Sequence, residues 1–106
     1  MLPGVSMKVL QRSDGPLPGF ETIIIELQID AGTVVGRHAH PGIESTYVVE
    51  GTAELLVDGQ PARALQPGDA FQIPPNLPHS VRIGPGRAKA CSTLIVDKEK
   101  AIVSAL

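Results

Sequence analysis

Three histidines and one glutamate carry the chemistry in this sequence. His38 and His40 are two residues apart, so on a strand their side chains point to one face. Glu44 follows four residues after His40, beyond Pro41-Gly42, and begins the next candidate strand. A tight reversal at that turn brings its carboxylate back beside the two imidazoles. His79 lies far along the chain, just after the proline-stiffened loop Pro74-Pro75-Asn76-Leu77-Pro78. Three neutral imidazoles and one carboxylate make a first coordination shell for a divalent transition metal. Positions left open on such an ion admit water or substrate, which separates catalytic metal sites from structural ones. Taken singly the residues say less. A His-x-His pair on a strand is a weak signal, and a lone Glu44 or His79 reads as a solvated side chain.

The elements that must position these groups are short strands. Eleven Gly and ten Pro make about a fifth of the 106 residues, above the ordinary ~12% for the two together. That favours many strands and tight turns over a helical bundle. Candidate strands run over 5–10 (the weakest), 22–29, 33–40, 44–50, 52–57, 62–65, 70–73, 79–83 and 89–96. Asp58-Gly59 is a two-residue hairpin signal. The tail, 97–106, reads equally as a short helix or an added strand. Eight or nine short strands predict an all-β antiparallel sandwich or barrel, with little or no helix. A jelly roll suits this strand count because it removes most exposed edges. With Tyr47, Phe20 and Phe71 as the whole aromatic set, the core must be built from Val, Ile, Leu and Ala.

The spacing around the four residues is ordered. Gly32 is followed by five residues, His38, one, His40, three, Glu44, six, and Gly51. The second segment reads Gly68, five, Pro74, one, Asn76, two, His79. In these two motifs the sequence resembles a small single-domain cupin. Two positions depart from the family pattern. Asn76 stands where glycine is usual, and Asn tolerates positive φ better than most residues. Ile83 replaces the usual Asn four residues past the histidine.

The resemblance implies one cupin domain over 1–106, a double-stranded β-helix whose conserved barrel covers about 20–97. It implies that His38, His40, Glu44 and His79 hold one divalent ion, Mn, Fe, Ni, Cu or Zn. It further implies a metal-dependent enzyme acting on a small organic molecule: dioxygenase-like first, decarboxylase or isomerase next, with Glu44 doubling as a catalytic proton acceptor. The alternative is a non-catalytic module that binds a metal or small molecule, favoured by the lack of a second obvious acid or base. A divalent ion with Glu44 leaves one net positive charge, which favours an anionic or chelating partner.

Other residues take plainer expectations. Tyr47 and Val49 should face away from Glu44, Thr46 and Val48, with Thr46 bordering the site. Arg37 should be a solvated strand residue, and Cys91 an inert buried thiol. Phe71 and Ile73 should line the barrel or fill its core. The apolar outer face at Tyr47 and Val49 is expected to be covered in a homodimer. Net charge −2 and three aromatics give no basic stripe or stacking platform, so nucleic-acid binding is not expected. No apolar run approaches the ~20 residues that span a bilayer. The segment MLPGVSMKVL lacks an uninterrupted apolar stretch of the signal-peptide kind, so a cytoplasmic location is expected unless a leader has been removed. One cysteine excludes an intrachain disulfide.

Overall fold

The computed structural model describes residues 3–100 and the backbone of 104–105. Ten strands form two five-stranded antiparallel sheets, and there is no helix among the described residues. In chain order they are β1 (Val5–Asp14), β2 (Phe20–Ile29), β3 (Val34–Ala39), β4 (Gly42–Glu50), β5 (Ala53–Val57), β6 (Arg63–Leu65), β7 (Ala70–Ile73), β8 (His79–Ile83), β9 (Ala88–Asp97) and β10 (Ser104–Ala105). The first sheet has the order β1-β2-β9-β4-β7 and the second β10-β3-β8-β5-β6. The chain crosses between sheets repeatedly, which is the jelly-roll arrangement expected of the sequence.

Strict alternation builds the space between the sheets. On β2, Ile23, Ile25 and Ile29 are buried. On β9, Ser92, Leu94 and Val96 face the same interior. On β4, Gly42, Glu44, Thr46 and Val48 are buried while Ile43, Tyr47 and Val49 are exposed, as the two-residue period requires. Ile23, Ile25, Leu94 and Val96 pack as one cluster; Val48, Leu55, Leu65 and Ile73 pack as another, with Phe71 against it. Each such aliphatic side chain contributes about 1.5–3 kcal/mol on full burial. Polar groups sharing this interior therefore need a reason to be there.

Four local expectations change. β1 runs on to Asp14, because the polar stretch Gln11-Arg12-Ser13-Asp14 pairs through its backbone with Ile24, Ile23, Thr22 and Glu21. An edge strand needs no apolar pattern on its solvent side. The Asp58-Gly59 turn forms, with Gln60 N–H donating to Val57 O at 3.0 Å, but the β5–β6 ladder closes only at Leu55 opposite Arg63. Pro61 has no N–H to extend it. Cys91 is half-buried rather than buried. It follows the outward parity of β9, opposite Tyr47 on β4 and Glu26 on β2. In the tail, Ser104–Ala105 adds a strand beside Ala39 and His38; 101–103 and 106 lie outside the described residues. Arg37 is solvent-facing as expected, and it pairs with Asp58 across the surface.

Candidate metal centre

The site lies between the two sheets, and each ligand candidate is placed by a different local device. His38 and His79 stand directly opposite each other in the β3–β8 ladder. Just before His38 the β3 register slips, between Val35 and His38. Such bulges re-aim a side chain. Here the slip lets His38 Nδ1–H donate to Gly36 O at 2.7 Å. His40 sits in the crossing from β3 to β4, and its carbonyl is held by Asn76 N–H at 2.8 Å. That bond ties the proline loop to the first motif. Asn76 adopts φ 62°, so the turn survives without glycine, as expected. Glu44 arrives from the facing sheet on β4.

The side chains converge. Ring centroids are 5.0 Å apart for His38 and His40, 4.3 Å for His38 and His79, and 5.2 Å for His40 and His79. One ring nitrogen from each histidine lies within 4.8 Å of the other two. That is the scale of a metal's first coordination sphere, about 4 Å across. Glu44 Oε1 is 3.1 Å from His40 Nε2 and 3.2 Å from His79 Nε2. The structure thus gathers the three histidines into one cluster and sets Glu44 beside two of them, His40 and His79.

Hydrogen bonds fix which atoms face the centre. His79 Nδ1–H donates to Leu77 O at 3.0 Å, as His38 Nδ1–H does to Gly36 O. In the neutral ring this tautomer leaves Nε2 with its lone pair, the arrangement found where imidazoles ligate metals. His79 is only 2% exposed, yet its Nε2 has no hydrogen bond, and neither has the buried Glu44 Oε1. The two atoms are close but not aligned for one. Buried polar atoms are nearly always satisfied, so two orphans facing each other mark a place that a further group completes. A divalent transition metal fits: it accepts imidazole nitrogen and carboxylate oxygen and gives both orphans a partner.

Electrostatics agree with the geometry. Burial alone would raise the Glu44 carboxyl, but the rings of His40 and His79 and the Thr46 hydroxyl outweigh it and hold Glu44 well below the usual carboxylate range. Burial lowers His38, with the neighbouring His79 and His40 adding to the effect, so its ring is neutral at neutral pH. Burial also works against charge on His79, but the Glu44 carboxylate and the Leu77 carbonyl prevail and raise it.

These shifts predict a pH profile for the metal-free protein. Glu44 is depressed below its ordinary 4.5, so it stabilises the fold above that value and the contribution is lost as pH falls through its folded value. His79 is raised above 6.5, so its contribution is full below that value and is lost as pH rises through its folded value. His38 acts in the opposite sense to His79, resisting charge below 6.5, and trims the acid side of the window. Thermal melts in chelator should therefore peak between 4.5 and 6.5. A saturating divalent ion needs deprotonated rings and should reverse the upper limb, so that stability climbs towards about pH 8. A melting temperature that falls above 6.5 both with and without metal would contradict the ligand assignment.

Sequence reasoning missed one participant. Ser92, 3% exposed on β9, lies opposite Thr46 in the β4–β9 ladder and contacts its hydroxyl at 2.7 Å. Its signal was only the odd serine in an apolar strand. Among the described residues the buried polar side chains are those of His40, Glu44, Thr46, His79 and Ser92.

Comparison with known proteins agrees with this architecture. A family model described as a cupin domain matches residues 25–103. Dimethylsulfoniopropionate lyase DddQ from Ruegeria pomeroyi is 34% identical over 68 residues, covering 64% of this chain and 34% of the relative. The chain thus spans about a third of the length of the curated relative it matches. The crystal structure of DMSP lyase DddQ from the same organism superposes with a TM-score of 0.80 at 27% identity, over 95% of this chain and 51% of that one. The structure of KdgF from Halomonas sp. superposes with a TM-score of 0.73 at 25% identity, over 89% of this chain and 82% of that one.

Proposed function

The chain belongs to the cupin domain family, and from that premise we propose that it is a metal-dependent lyase acting on a small carboxylate. His38, His40, Glu44 and His79 hold one divalent transition metal. The observation that carries this reading is the pair of buried, unsatisfied atoms, Glu44 Oε1 and His79 Nε2, facing each other at 3.2 Å among converging imidazoles. A divalent ion held there would supply a Lewis acid that polarises the carboxylate of a substrate. With three neutral rings and one carboxylate, the loaded centre carries one net positive charge and attracts an anion. Ile73, opposite Glu44 in the β4–β7 ladder, sets an apolar side chain beside the carboxylate, where a lower local dielectric strengthens that attraction.

Glu44 suits the holding of the ion better than the taking of a proton. A carboxylate kept ionised far below neutral pH is a weak general base. The lyase reading rests on the likeness to DddQ, whose name states a lyase of dimethylsulfoniopropionate. The dioxygenase-like reaction uses the same four ligands. A non-catalytic binding module is the second reading, favoured by one observation: among the described residues the buried polar set holds no Lys, Tyr or Asp to serve as a separate acid or base.

One experiment separates the three. Metal-free protein is reloaded with Mn, Fe, Ni, Cu or Zn in turn. Each form is offered propionates that carry a leaving group, dimethylsulfoniopropionate among them, and then oxalate, flavonols and β-diketones under oxygen. Unsaturated acid appearing with at least one metal, and lost in His38→Ala, is the expected result. Oxygen uptake without elimination would move the assignment to a dioxygenase. A flat response from fully loaded protein would move it to the binding module. Exposed Ile43, Tyr47 and Val49 on the outer face of β4 support a homodimer, to be read by light scattering.

A further inference from the structure

The buried hydroxyls behind Glu44 have a direction that proton counting fixes. Glu44 and Thr46 are two apart on β4 and share its inward face, and Thr46 Oγ1 lies 2.7 Å from Glu44 Oε2. A carboxylate only accepts, so Thr46 must donate there. A hydroxyl has one proton, so Thr46 has none left for Ser92, whose Oγ is 2.7 Å from Thr46 Oγ1. Ser92 is therefore the donor in that contact. The chain runs Ser92 O–H to Thr46 Oγ1, then Thr46 O–H to Glu44 Oε2. Donors in series polarise one another, and all three residues are buried. One carboxylate oxygen is thereby occupied, and only Oε1 faces the imidazoles.

We infer that Thr46 and Ser92 are positioning residues that make Glu44 present a single oxygen to the metal. The inference rests on the metal-site reading above, and it explains why two hydroxyls are buried behind Glu44. Without the Thr46 donor, Oε2 loses its partner, and the carboxylate is free to rotate or to offer both oxygens. Partners of this outer kind commonly change metal affinity 10- to 100-fold.

The test uses cobalt(II) as the probe, titrated into metal-free protein against a competing chelator, with the visible absorption of the bound ion recorded. Thr46→Val keeps shape and removes the donor. It should weaken cobalt binding at least about tenfold and change the absorption spectrum. Thr46→Ser restores the hydroxyl and should return both towards wild type. Ser92→Ala removes only the outer donor and should weaken binding by a smaller factor in the same direction, and it carries the test if Thr46→Val does not fold. Wild-type affinity and spectrum in Thr46→Val, or in Ser92→Ala where the former is unfolded, would overturn this inference while leaving the metal site standing. No cobalt binding by wild-type protein would overturn the metal-site reading itself.

Discussion

Replacing His38 with alanine is expected to lower metal affinity by about a hundredfold and leave the fold intact. The magnitude follows from division. Apparent binding energies of four-ligand zinc sites are about 10–16 kcal/mol, so each ligand accounts for roughly 3 kcal/mol, or two orders of magnitude. His38 is the right residue for the test because its ring is half-buried and truncation opens no core cavity. His79 is only 2% exposed, so its removal would mix the loss of a ligand with the loss of packing. Chelator competition gives the affinity, and a thermal melt in chelator gives the stability. A His38→Ala protein that binds metal as tightly as wild type would remove His38 from the ligand set.

Gly42→Ala is expected to cost about 3 kcal/mol or more and to scatter the site. Gly42 lies between His40 and Glu44 and pairs with Val96 on β9. A Cβ there would fall 1.6 Å from the carbonyl oxygen of Ile95, 2.6 Å from its carbon and 2.9 Å from the Cα of Val96. These are backbone atoms, so no rotamer change relieves the clash and β4 must move away from β9. Ordinary overpacking costs about 1–3 kcal/mol where side chains can yield. In a domain of this size the melting temperature should fall by more than about 12 °C. Metal binding should weaken too, because Glu44 rides on the displaced strand. Gly86→Ala, where a Cβ meets nothing within 4 Å, is the neutral control. A Gly42→Ala protein as stable as that control would mean that β4 and β9 do not approach so closely.

The fold and the grouping of the four side chains were legible because their determinants are local. His38 and His40 share a face through strand parity, and Pro41-Gly42 turns the chain so that Glu44 returns. The stiff loop after Pro74 aims His79. Strand limits emerge within a residue or two wherever alternating apolar residues meet a glycine or proline. What stayed hidden depends on contacts distant in sequence. The role of Ser92 requires the β4–β9 register, which places it opposite Thr46, 46 residues away. The length of β1 was hidden because pairing with β2, not its own composition, extends it to Asp14. Parity could have placed Cys91: if Ser92, Leu94 and Val96 point inward, Cys91 points out. The slip before His38 left no mark beyond Gly36, since a bulge is written in the pairing of two strands.

X-ray absorption at the metal edge of reloaded protein reads the proposed ligand set itself. Three imidazole nitrogens and one Glu44 oxygen are expected among the ligands at about 2.0–2.2 Å, with the outer-shell scattering that imidazole rings produce. A spectrum of oxygen ligands alone, the signature of an ion held by water and surface carboxylates, would contradict it.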